Sequence, residues 1–500
     1  MTSNRGTIST GNKGLDAILK GGLPAERLYL VEGTPGAGKT TLALQFLQQG
    51  VLNGERVLYI TLSETRDELL VVAESHGFDI SAIDIVELDN VANILSAGSE
   101  QSILHPWEVE LSETIQLIEQ RVDKVKPTRV VFDSLSEMRL LAQDPLRYRR
   151  QLLALKQFFG SRAMTVLLVD DLAGNNNHSD AHLHSLCHGV ITLERLTLEF
   201  GPARRRMQVQ KLRGVDFIAG YHDLVIKSGG LAIFPRLIAS EHHLDFTSEP
   251  TPSGVAELDA LLYGGPLRGT CTLITGPAGT GKTTIALQYI SAACLRGEPA
   301  VLYEFDERIG TLVTRASAFG IDLPKFVDDD LLRIEQMDPA EISPGEFAAR
   351  VVEQVETRGV RVLVIDSLNG YLAAMPQEEQ LILQIHELLS YLSQRGVVTI
   401  LINPQQGLMG SMATNLIISY IADAVIMLRF FEADGRIRKA ISIIKNRGGK
   451  HEDAIREFRV DAQGVRVGSP LVSFKGVLTG TPEYTGQKAP LLEDRGNGPL

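Results

Sequence analysis

The sequence of 500 residues predicts an α/β fold, with two tandem domains that each form a mostly parallel sheet flanked by helices. A glycine-rich motif, GTPGAGKTT at residues 33–41, returns as GPAGTGKTT at residues 276–284 in similar surroundings. Continuous β-branched runs alternate with helical patterns in both halves, and such runs are typical of parallel strands covered on both faces. The chain is therefore predicted to be a duplication with two cores of about 240 residues each.

The elements of the two halves correspond in order. Each glycine-rich motif follows a short apolar strand, at residues 28–31 or 272–274, and opens a helix. Three further pairs of buried strands follow, at residues 130–133 and 362–366, 165–169 and 397–402, and 190–193 and 425–428. We expect domains at residues 1–245 and 246–470, a Thr-, Ser- and Pro-rich linker at residues 244–252, and a flexible tail within residues 471–500.

Composition narrows the class of protein. The 49 basic and 61 acidic residues give a net charge of −12, which makes nucleic acid an unfavourable partner for the chain as a whole. The basic run at residues 204–206 is interpreted as a solvated turn. Three cysteines without paired spacing indicate a reducing compartment, and no apolar run approaches the roughly 18–20 residues of a membrane span. We expect a cytoplasmic protein without a membrane segment.

The glycine-rich motifs predict two nucleotide sites. In Gly-x-x-x-x-Gly-Lys-Thr, small residues let backbone N–H groups approach phosphates, the lysine reaches the β and γ phosphates, and the threonine hydroxyl binds magnesium. Two matches, each between a strand and a helix, argue against a chance turn. The predicted nucleotide ligands are Gly36, Gly38, Lys39, Thr40 and Thr41 in the first half, and Gly279, Gly281, Lys282, Thr283 and Thr284 in the second.

Carboxylates at strand ends complete the predicted sites. Asp133 and Asp366, each followed by Ser-Leu, fit the residue that orients the magnesium shell beside Thr40 or Thr283. Glu64 and Glu307 occupy equivalent places after another strand, and either could accept a proton during attack on a metal-bound triphosphate. The alternative is a helix-start carboxylate that only complements the helix dipole.

With these landmarks the chain resembles, end to end, the KaiC family of circadian clock proteins, within the RecA superfamily. The resemblance rests on both glycine-rich motifs, both Asp-Ser strands, KLRG at residues 211–214, KNRG at 445–448, HEDAIREF at 451–458 and the segment 476–482. It implies two tandem RecA-like P-loop ATPase domains with ATP and Mg²⁺, and a pore loop in the terminal segment 471–500. Bacterial relatives outside the clock share the spacing, so the resemblance supports the family more firmly than a timing role.

The family assembles as a homohexamer with ATP between subunits, and the resemblance implies the same here. It further implies that Lys211 and Arg213, and likewise Lys445 and Arg447, reach the neighbour's γ phosphate. A cation supplied in trans neutralises charge on the transferred group and contributes roughly 10³–10⁵ in rate. A KaiB-like or other signalling protein is the implied partner.

The resemblance also implies that the second domain phosphorylates itself on an adjacent Ser-Thr pair. Here Ser419 is retained, Tyr420 replaces the threonine, and Thr414 lies at another acceptor-like position. The family's two adjacent glutamates become Ser63-Glu64 and Asp306-Glu307, so Asp306 and Glu307 are the acid/base candidates for Ser419. We expect a hexameric ATPase and serine/threonine autokinase; the alternatives are a RecA-type DNA-dependent ATPase and an ATP-assembled scaffold with little kinase activity.

Overall fold

The computed structural model describes residues 6–88, 106–142, 144–172, 183–198, 201–372, 378–405, 420–433, 435–462, 464–478 and 483–486. The chain divides into two compact units, Met1–Arg236 and Leu237–Leu500. Residues 237–245, which the sequence-based boundary places in the first domain, belong to the second unit. There Ala239 is buried, and its N–H donates to a carboxylate oxygen of Glu387 at 3.4 Å.

The first unit contains a nine-stranded sheet in the order β11-β10-β9-β8-β3-β7-β6-β4-β5 and a separate pair, β1 and β2. The strands are β1 Thr7–Ile8, β2 Leu23–Pro24, β3 Leu28–Gly33, β4 Val57–Thr61, β5 Asp84–Glu87, β6 Arg129–Asp133, β7 Thr165–Asp171, β8 Gly189–Leu196, β9 Arg204–Leu212, β10 Tyr221–Lys227 and β11 Gly230–Phe234. The six strands from β8 to β5 are mutually parallel, and β9, β10 and β11 extend the sheet in antiparallel fashion.

The second unit repeats this plan in the order β14-β13-β15-β16-β12-β17-β18-β19-β20. Its strands are β12 Cys271–Gly276, β13 Ala300–Glu304, β14 Leu332–Gln336, β15 Val362–Asp366, β16 Val398–Pro404, β17 Ala424–Ala433, β18 Arg436–Asn446, β19 Arg456–Asp461 and β20 Gly464–Pro470, with a further pair, β21 Phe474–Lys475 and β22 Glu483–Tyr484. Again six strands are parallel and the last three are antiparallel.

Helices cover both faces of each sheet. Those of the first unit are Lys13–Ile18, Lys39–Leu52, Arg66–His76, Pro106–Val125, Leu135–Ala142 and Pro145–Gly160. Those of the second are Ala256–Ala260, Lys282–Leu295, Ile309–Ala318, Leu323–Asp328, Pro344–Arg358, Leu368–Leu372 and Glu378–Gln394, after a short 3₁₀ turn at Ala239–Glu241. None of the helices in these described ranges is long and apolar enough to cross a membrane.

Local sequence explains where several helices begin and end. Helix Arg66–His76 begins with a capping box, in which Thr65 Oγ1 accepts from the N–H of Glu68 and the Glu68 carboxylate accepts from the N–H of Thr65. It ends at Gly77, whose φ of 74° suits glycine. The helix Pro344–Arg358 follows the same logic, with Ser343 as its cap, proline in its first turn and Gly359 at its end.

Each sheet has an apolar core on both of its faces. In the first unit Val31 and Phe46 pack on the side of helix Lys39–Leu52, whereas Leu30 and Phe159 pack on the other side. Strands buried on both faces are the physical reason for the unbroken apolar runs in the sequence. The predicted fold of two tandem, mostly parallel sheets flanked by helices is confirmed.

Candidate functional site

Both glycine-rich motifs form a tight turn between a buried strand and a helix. Gly36 and Gly38 have φ values of 73° and 106°, and Gly279 and Gly281 have 80° and 108°. An added Cβ on Gly38 would lie 2.9 Å from a methyl carbon of Leu231, so neither conformation nor space admits a side chain. A turn of this kind directs successive N–H groups toward a phosphate at the helix N-terminus.

The motif lysines fold back onto their own loops. Lys39 Nζ donates to the carbonyl oxygens of Gly33 and Thr34, at 3.0 and 3.2 Å, and pairs with Asp171 at 2.7 Å. Lys282 Nζ donates to the carbonyl of Pro277 at 2.8 Å. Burial lowers the pKa of Lys282 to about 8, against the opposing pull of a nearby aspartate. A bound triphosphate would supply the anionic partner that this buried ammonium group favours.

Each loop ends beside the predicted strand-end aspartate. Thr283 Oγ1 donates to Asp366 Oδ2 at 2.6 Å, and Thr40 Oγ1 lies 3.5 Å from Asp133 Oδ2. Burial raises the pKa of both aspartates. Hydroxyl and carboxylate oxygens side by side, next to a phosphate cradle, are the donor set that Mg²⁺ takes, so these residues fit the ion.

The second threonine of each motif is buried at the start of the helix. Thr41 and Thr284 are both buried, and Thr41 Oγ1 lies 3.3 Å from His76 Nε2. Because the side chains are buried, contact with a nucleotide would come from the backbone N–H groups of these two residues.

The carboxylates after β4 and β13 are placed differently in the two units. Glu64 lies near Asp133, and burial together with that carboxylate raises the pKa of Glu64 to about 7. Its Oε2 is buried without a hydrogen-bond partner. Glu307, in the equivalent position, instead pairs with Arg315 at 2.6 Å.

One buried carboxylate of the second unit was not predicted from the sequence as a site residue. Glu304, the last residue of β13, pairs in register with Asp366, and burial raises the pKa of Glu304 to about 8. Its Oε1 accepts from the N–H groups of Asp306 and Glu307, at 3.3 and 3.0 Å. In the first unit the equivalent residue is Thr61, whose hydroxyl oxygen accepts a hydrogen bond from the N–H of Glu64. The sequence signal that could have identified Glu304 is a charged residue at the end of an otherwise apolar strand.

Arginines also contact the first loop. Arg205 Nε donates to the Gly36 carbonyl at 3.0 Å, and a Cβ on Gly36 would lie 3.3 Å from Nη1 of Arg195. Interpretation of residues 204–206 as a solvated turn was wrong, because they begin β9. In the second unit Phe430 takes the corresponding position, with its Cζ 3.8 Å from a Cβ on Gly279.

The Lys-x-Arg pairs lie near the amino ends of the parallel strands, whereas the loops follow the carboxyl ends. Lys211 pairs with Val190 at the start of β8, and the N–H of Arg213 donates to His188. Lys211 Nζ also donates to the carbonyl of Cys187 at 2.9 Å, as Lys445 Nζ does to Ala422 at 2.6 Å.

The second unit has the same arrangement, since the N–H of Arg447 donates to Asp423 at the start of β17. Lys445 is level with Leu273, three residues of strand or about 10 Å before Gly276, and Arg447 lies about two residues further from the loop.

Of the predicted acceptors, only Tyr420 lies within the described residues. Tyr420 is in helical conformation, as is Ile421, and 68% of its surface is exposed. Ser419 and Thr414 lie outside the described residues.

Comparison with known proteins agrees with this geometry. The family model described as "ATPase: KaiC" matches residues 8–238 and 251–472. The chain is 26% identical to the circadian clock protein KaiC3 of Synechocystis sp., over 96% of this chain and 95% of that protein. It is 28% identical to the circadian clock oscillator protein KaiC of Parathermosynechococcus lividus, over 95% and 87%, and 27% identical to that of Synechococcus elongatus, over 94% and 90%. Two matched repeats with these loops, strands and aspartates place the chain in the KaiC family of ATPases.

Proposed function

We propose that both units hydrolyse ATP with Mg²⁺, and that the second unit also transfers the γ-phosphoryl group to a serine of its own chain, Ser419. The observation that carries the proposal is the repeated arrangement at the foot of each loop, where a threonine hydroxyl, a buried aspartate and a second carboxylate adjoin a phosphate cradle. Membership of the KaiC ATPase family supports ATP as the nucleotide.

Glu64 is the base that we propose for the first unit. Its pKa near 7 lets the carboxylate accept a proton at neutral pH, and its unpaired Oε2 can hold a water. The water oxygen forms a bond to the γ-phosphorus as the bond from that phosphorus to the β–γ bridging oxygen breaks. ADP leaves with that oxygen, and the water's proton passes to Glu64. Magnesium, held by Thr40 and Asp133, would neutralise charge on the phosphates.

In the second unit the attacking group is the Ser419 hydroxyl, and its proton passes to Asp306 or Glu307. Glu304 holds the backbone of both residues and so positions them toward the loop. The bond from Ser419 Oγ to the γ-phosphorus replaces the β–γ bridging bond, and ADP leaves. Thr414 and Tyr420 are the other acceptors to be tested in the same segment.

The position of the Lys-x-Arg pairs supports assembly as a homohexamer with ATP between subunits. In each unit the two cations lie near the amino ends of the parallel strands, away from the loop, so they do not contact a phosphate bound by the loop of the same unit. A neighbouring subunit could present them to the γ phosphate as charge develops there. Three free, buried cysteines accord with a cytoplasmic location, which belongs to the proposal, as does a KaiB-like or other signalling partner.

One observation favours the scaffold alternative for the second unit. The Glu307 carboxylate is held by Arg315, which leaves it less able to accept a proton. A second unit that binds ATP but transfers phosphate slowly would then serve mainly in assembly.

The matched pair Glu64→Gln and Glu68→Gln tests the proposed base. Both remove a carboxylate near the start of the same helix, but Glu68 is exposed and forms the capping box. With the second unit silenced by Lys282→Ala, we expect Glu64→Gln to lower the ATP turnover number by about 10²-fold or more, because a general base contributes 10²–10⁴. Glu68→Gln should leave turnover within about twofold, since glutamine retains the cap. Equal turnover in both variants would exclude Glu64 as the base.

A further inference from the structure

Four polar side chains lie at the carboxyl end of three neighbouring strands in the second unit, and none belongs to the nucleotide site. Thr275 is the last residue but one of β12, as Asn403 is of β16; Gln405 directly follows β16, and Arg429 lies in β17. We call Thr275, Asn403, Gln405 and Arg429 the Arg429 patch.

Strand register places the Arg429 patch on one face of the sheet. Thr275 pairs with Asn403 on one side and with Met427 on the other. Arg429 comes two residues after Met427 in β17 and so shares that face, and Gln405 directly follows the last residue of β16. The residues two positions earlier, including Leu273 and Leu401, pack in the core on the side opposite helix Lys282–Leu295. The patch therefore faces away from the phosphate loop.

Three members of the Arg429 patch are buried, Gln405 is partly buried, and all four have polar atoms without a partner. Thr275, Asn403 and Arg429 have only 1%, 5% and 7% of their surface exposed. The Thr275 hydroxyl, the Asn403 Oδ1, both Gln405 amide atoms and the Arg429 Nε are buried without a hydrogen-bond partner. Within the part of the chain that the structure describes, no carboxylate pairs with Arg429. Buried polar groups in proteins are nearly always hydrogen-bonded, so such a group points to a missing ligand or water.

On the corresponding face of the first unit, the polar side chains have hydrogen-bond or ionic partners. The repeat places Glu32, Asp170 and Glu194 where the second unit has Thr275, Asn403 and Arg429. All three acids have partners there. Glu32 accepts from Thr192 and contacts His184, Asp170 pairs with Arg139, and Glu194 pairs with Arg206.

The charge at this face is thus inverted between the units. Three paired carboxylates in the first become two neutral groups and one guanidinium in the second. Residues 406–419, which follow Gln405 in the sequence, contain no aspartate or glutamate that could neutralise it. A buried guanidinium retains its charge, and its favoured partner is an oxyanion bound by two parallel N–H donors.

We propose that the Arg429 patch binds a phosphate-type oxyanion. The guanidinium supplies the charge and a two-pronged contact, while the Gln405 amide and the Thr275 hydroxyl donate to the remaining oxygens. This site lies on the opposite face from the phosphate loop, so it is separate from the site of ATP. The phosphate can come from solution as orthophosphate, or from a phosphoryl group attached to the chain. Only the second source depends on the proposed autokinase function.

Equilibrium dialysis with labelled orthophosphate tests the proposal on the full chain. A non-hydrolysable ATP analogue fills both nucleotide sites, so that phosphate cannot bind at the loops. We expect one saturable phosphate per chain in the wild type. Arg429→Met should weaken binding at least tenfold, because it removes the guanidinium while keeping an unbranched side chain.

Two further variants distinguish a specific loss of phosphate binding from a loss of folded protein. Asn403→Asp places a carboxylate where the first unit has Asp170, and it should also weaken phosphate binding at least tenfold by neutralising Arg429. Arg436→Met removes an exposed guanidinium from the adjoining strand β18 and should leave phosphate affinity unchanged. Phosphate should raise the midpoint of thermal unfolding of the wild type but not of Arg429→Met, a response that a purely structural arginine would not give.

The source of the phosphate is distinguished by prior incubation with ATP. If the attached group fills the Arg429 patch, ATP-treated wild type will bind no free phosphate whereas ATP-treated Ser419→Ala will bind it. Equal binding by both proteins assigns the site to free orthophosphate. The proposal is overturned if the wild type shows no saturable site at millimolar phosphate, or if Arg429→Met and Asn403→Asp bind as tightly as the wild type.

Discussion

At the scale of single residues, equivalent positions in the two units carry different chemistry. A carboxylate that interacts with the strand-end aspartate is Glu64 in the first unit and Glu304 in the second, and burial raises the pKa of each. Glu307, the sequence equivalent of Glu64, is instead neutralised by Arg315. Both carboxylates have an unpaired Oε2, but the other oxygen of Glu304 accepts from the N–H groups of Asp306 and Glu307, which suits Glu304 to position those residues in the second site. Such differences between environments separate acid and base roles.

A buried histidine makes the stability of the first unit depend on pH. The N–H of Arg236 donates to His222 Nδ1 at 2.8 Å and Nε2 contacts the Ile218 carbonyl at 3.0 Å, which fixes the neutral form. Burial lowers the pKa of His222 below its usual 6.5. The unfolded chain therefore binds a proton first as pH falls, so the free energy of unfolding decreases below about pH 6.5, by up to about 1.4 kcal/mol per pH unit.

His222→Gln checks this prediction, since glutamine can donate and accept but does not titrate. Denaturant unfolding of the first unit is measured between pH 5 and 7.5. We expect the stability difference between wild type and variant to shrink as pH falls. A difference that is constant over this range would contradict the assignment.

At the scale of elements, the order of strands and helices was predictable and the cross-strand contacts were not. The eight strands predicted around the loops and aspartates are all present, because unbroken β-branched runs and glycine punctuation are local signals. Glu304, Asp171 and Arg205 were missed as site residues. Each reaches its partner through strand pairing or a turn between segments far apart in sequence, as Arg205 does with Gly36. The three antiparallel strands at the end of each sheet were also not foreseen, since they lack the unbroken apolar runs of the strands that are buried on both faces.

The junction between loop and helix is the element most sensitive to substitution. Gly38→Ala would force a side chain into a φ of 106° and against Leu231. Strain of about 1–3 kcal/mol would be relieved by movement of the loop, so ATP affinity at the first site should fall roughly 5- to 150-fold. Gly54→Ala, at a left-handed turn with open space around it, is the matched control and should leave ATP affinity unchanged. Isothermal titration in the Lys282→Ala background measures both, and equal affinities would refute the role of Gly38.

At the scale of the whole molecule, the proposed function requires that the Lys-x-Arg cations of a neighbouring chain complete each nucleotide site. Lys211 is level with Leu30, three residues of strand or about 10 Å before Gly33, and Arg213 lies about two residues further from the loop. Catalysis would then be conditional on assembly, and head-to-tail contacts between subunits would form a closed ring.

Mixing two inactive chains tests action in trans. One chain carries Lys39→Ala and the other Arg213→Ala, both with Lys282→Ala to silence the second unit. Each alone should be nearly inactive, but random co-assembly should restore about a quarter of the interfaces, since each head-to-tail contact needs one intact loop and one intact arginine. ATP turnover that stays at the level of the separate chains after co-assembly would show that Arg213 acts within its own chain or not at all.

The most direct test of the central claim, that the second unit sends phosphate to its own chain, is phosphosite mapping. Wild type, Ser419→Ala and Asp306→Asn/Glu307→Gln are incubated with ATP and Mg²⁺ and analysed by mass spectrometry. We predict phosphate on Ser419 in the wild type, none at that position in Ser419→Ala, and at least a tenfold reduction in the double variant. An unmodified segment 414–420 in wild-type protein that hydrolyses ATP would contradict the account.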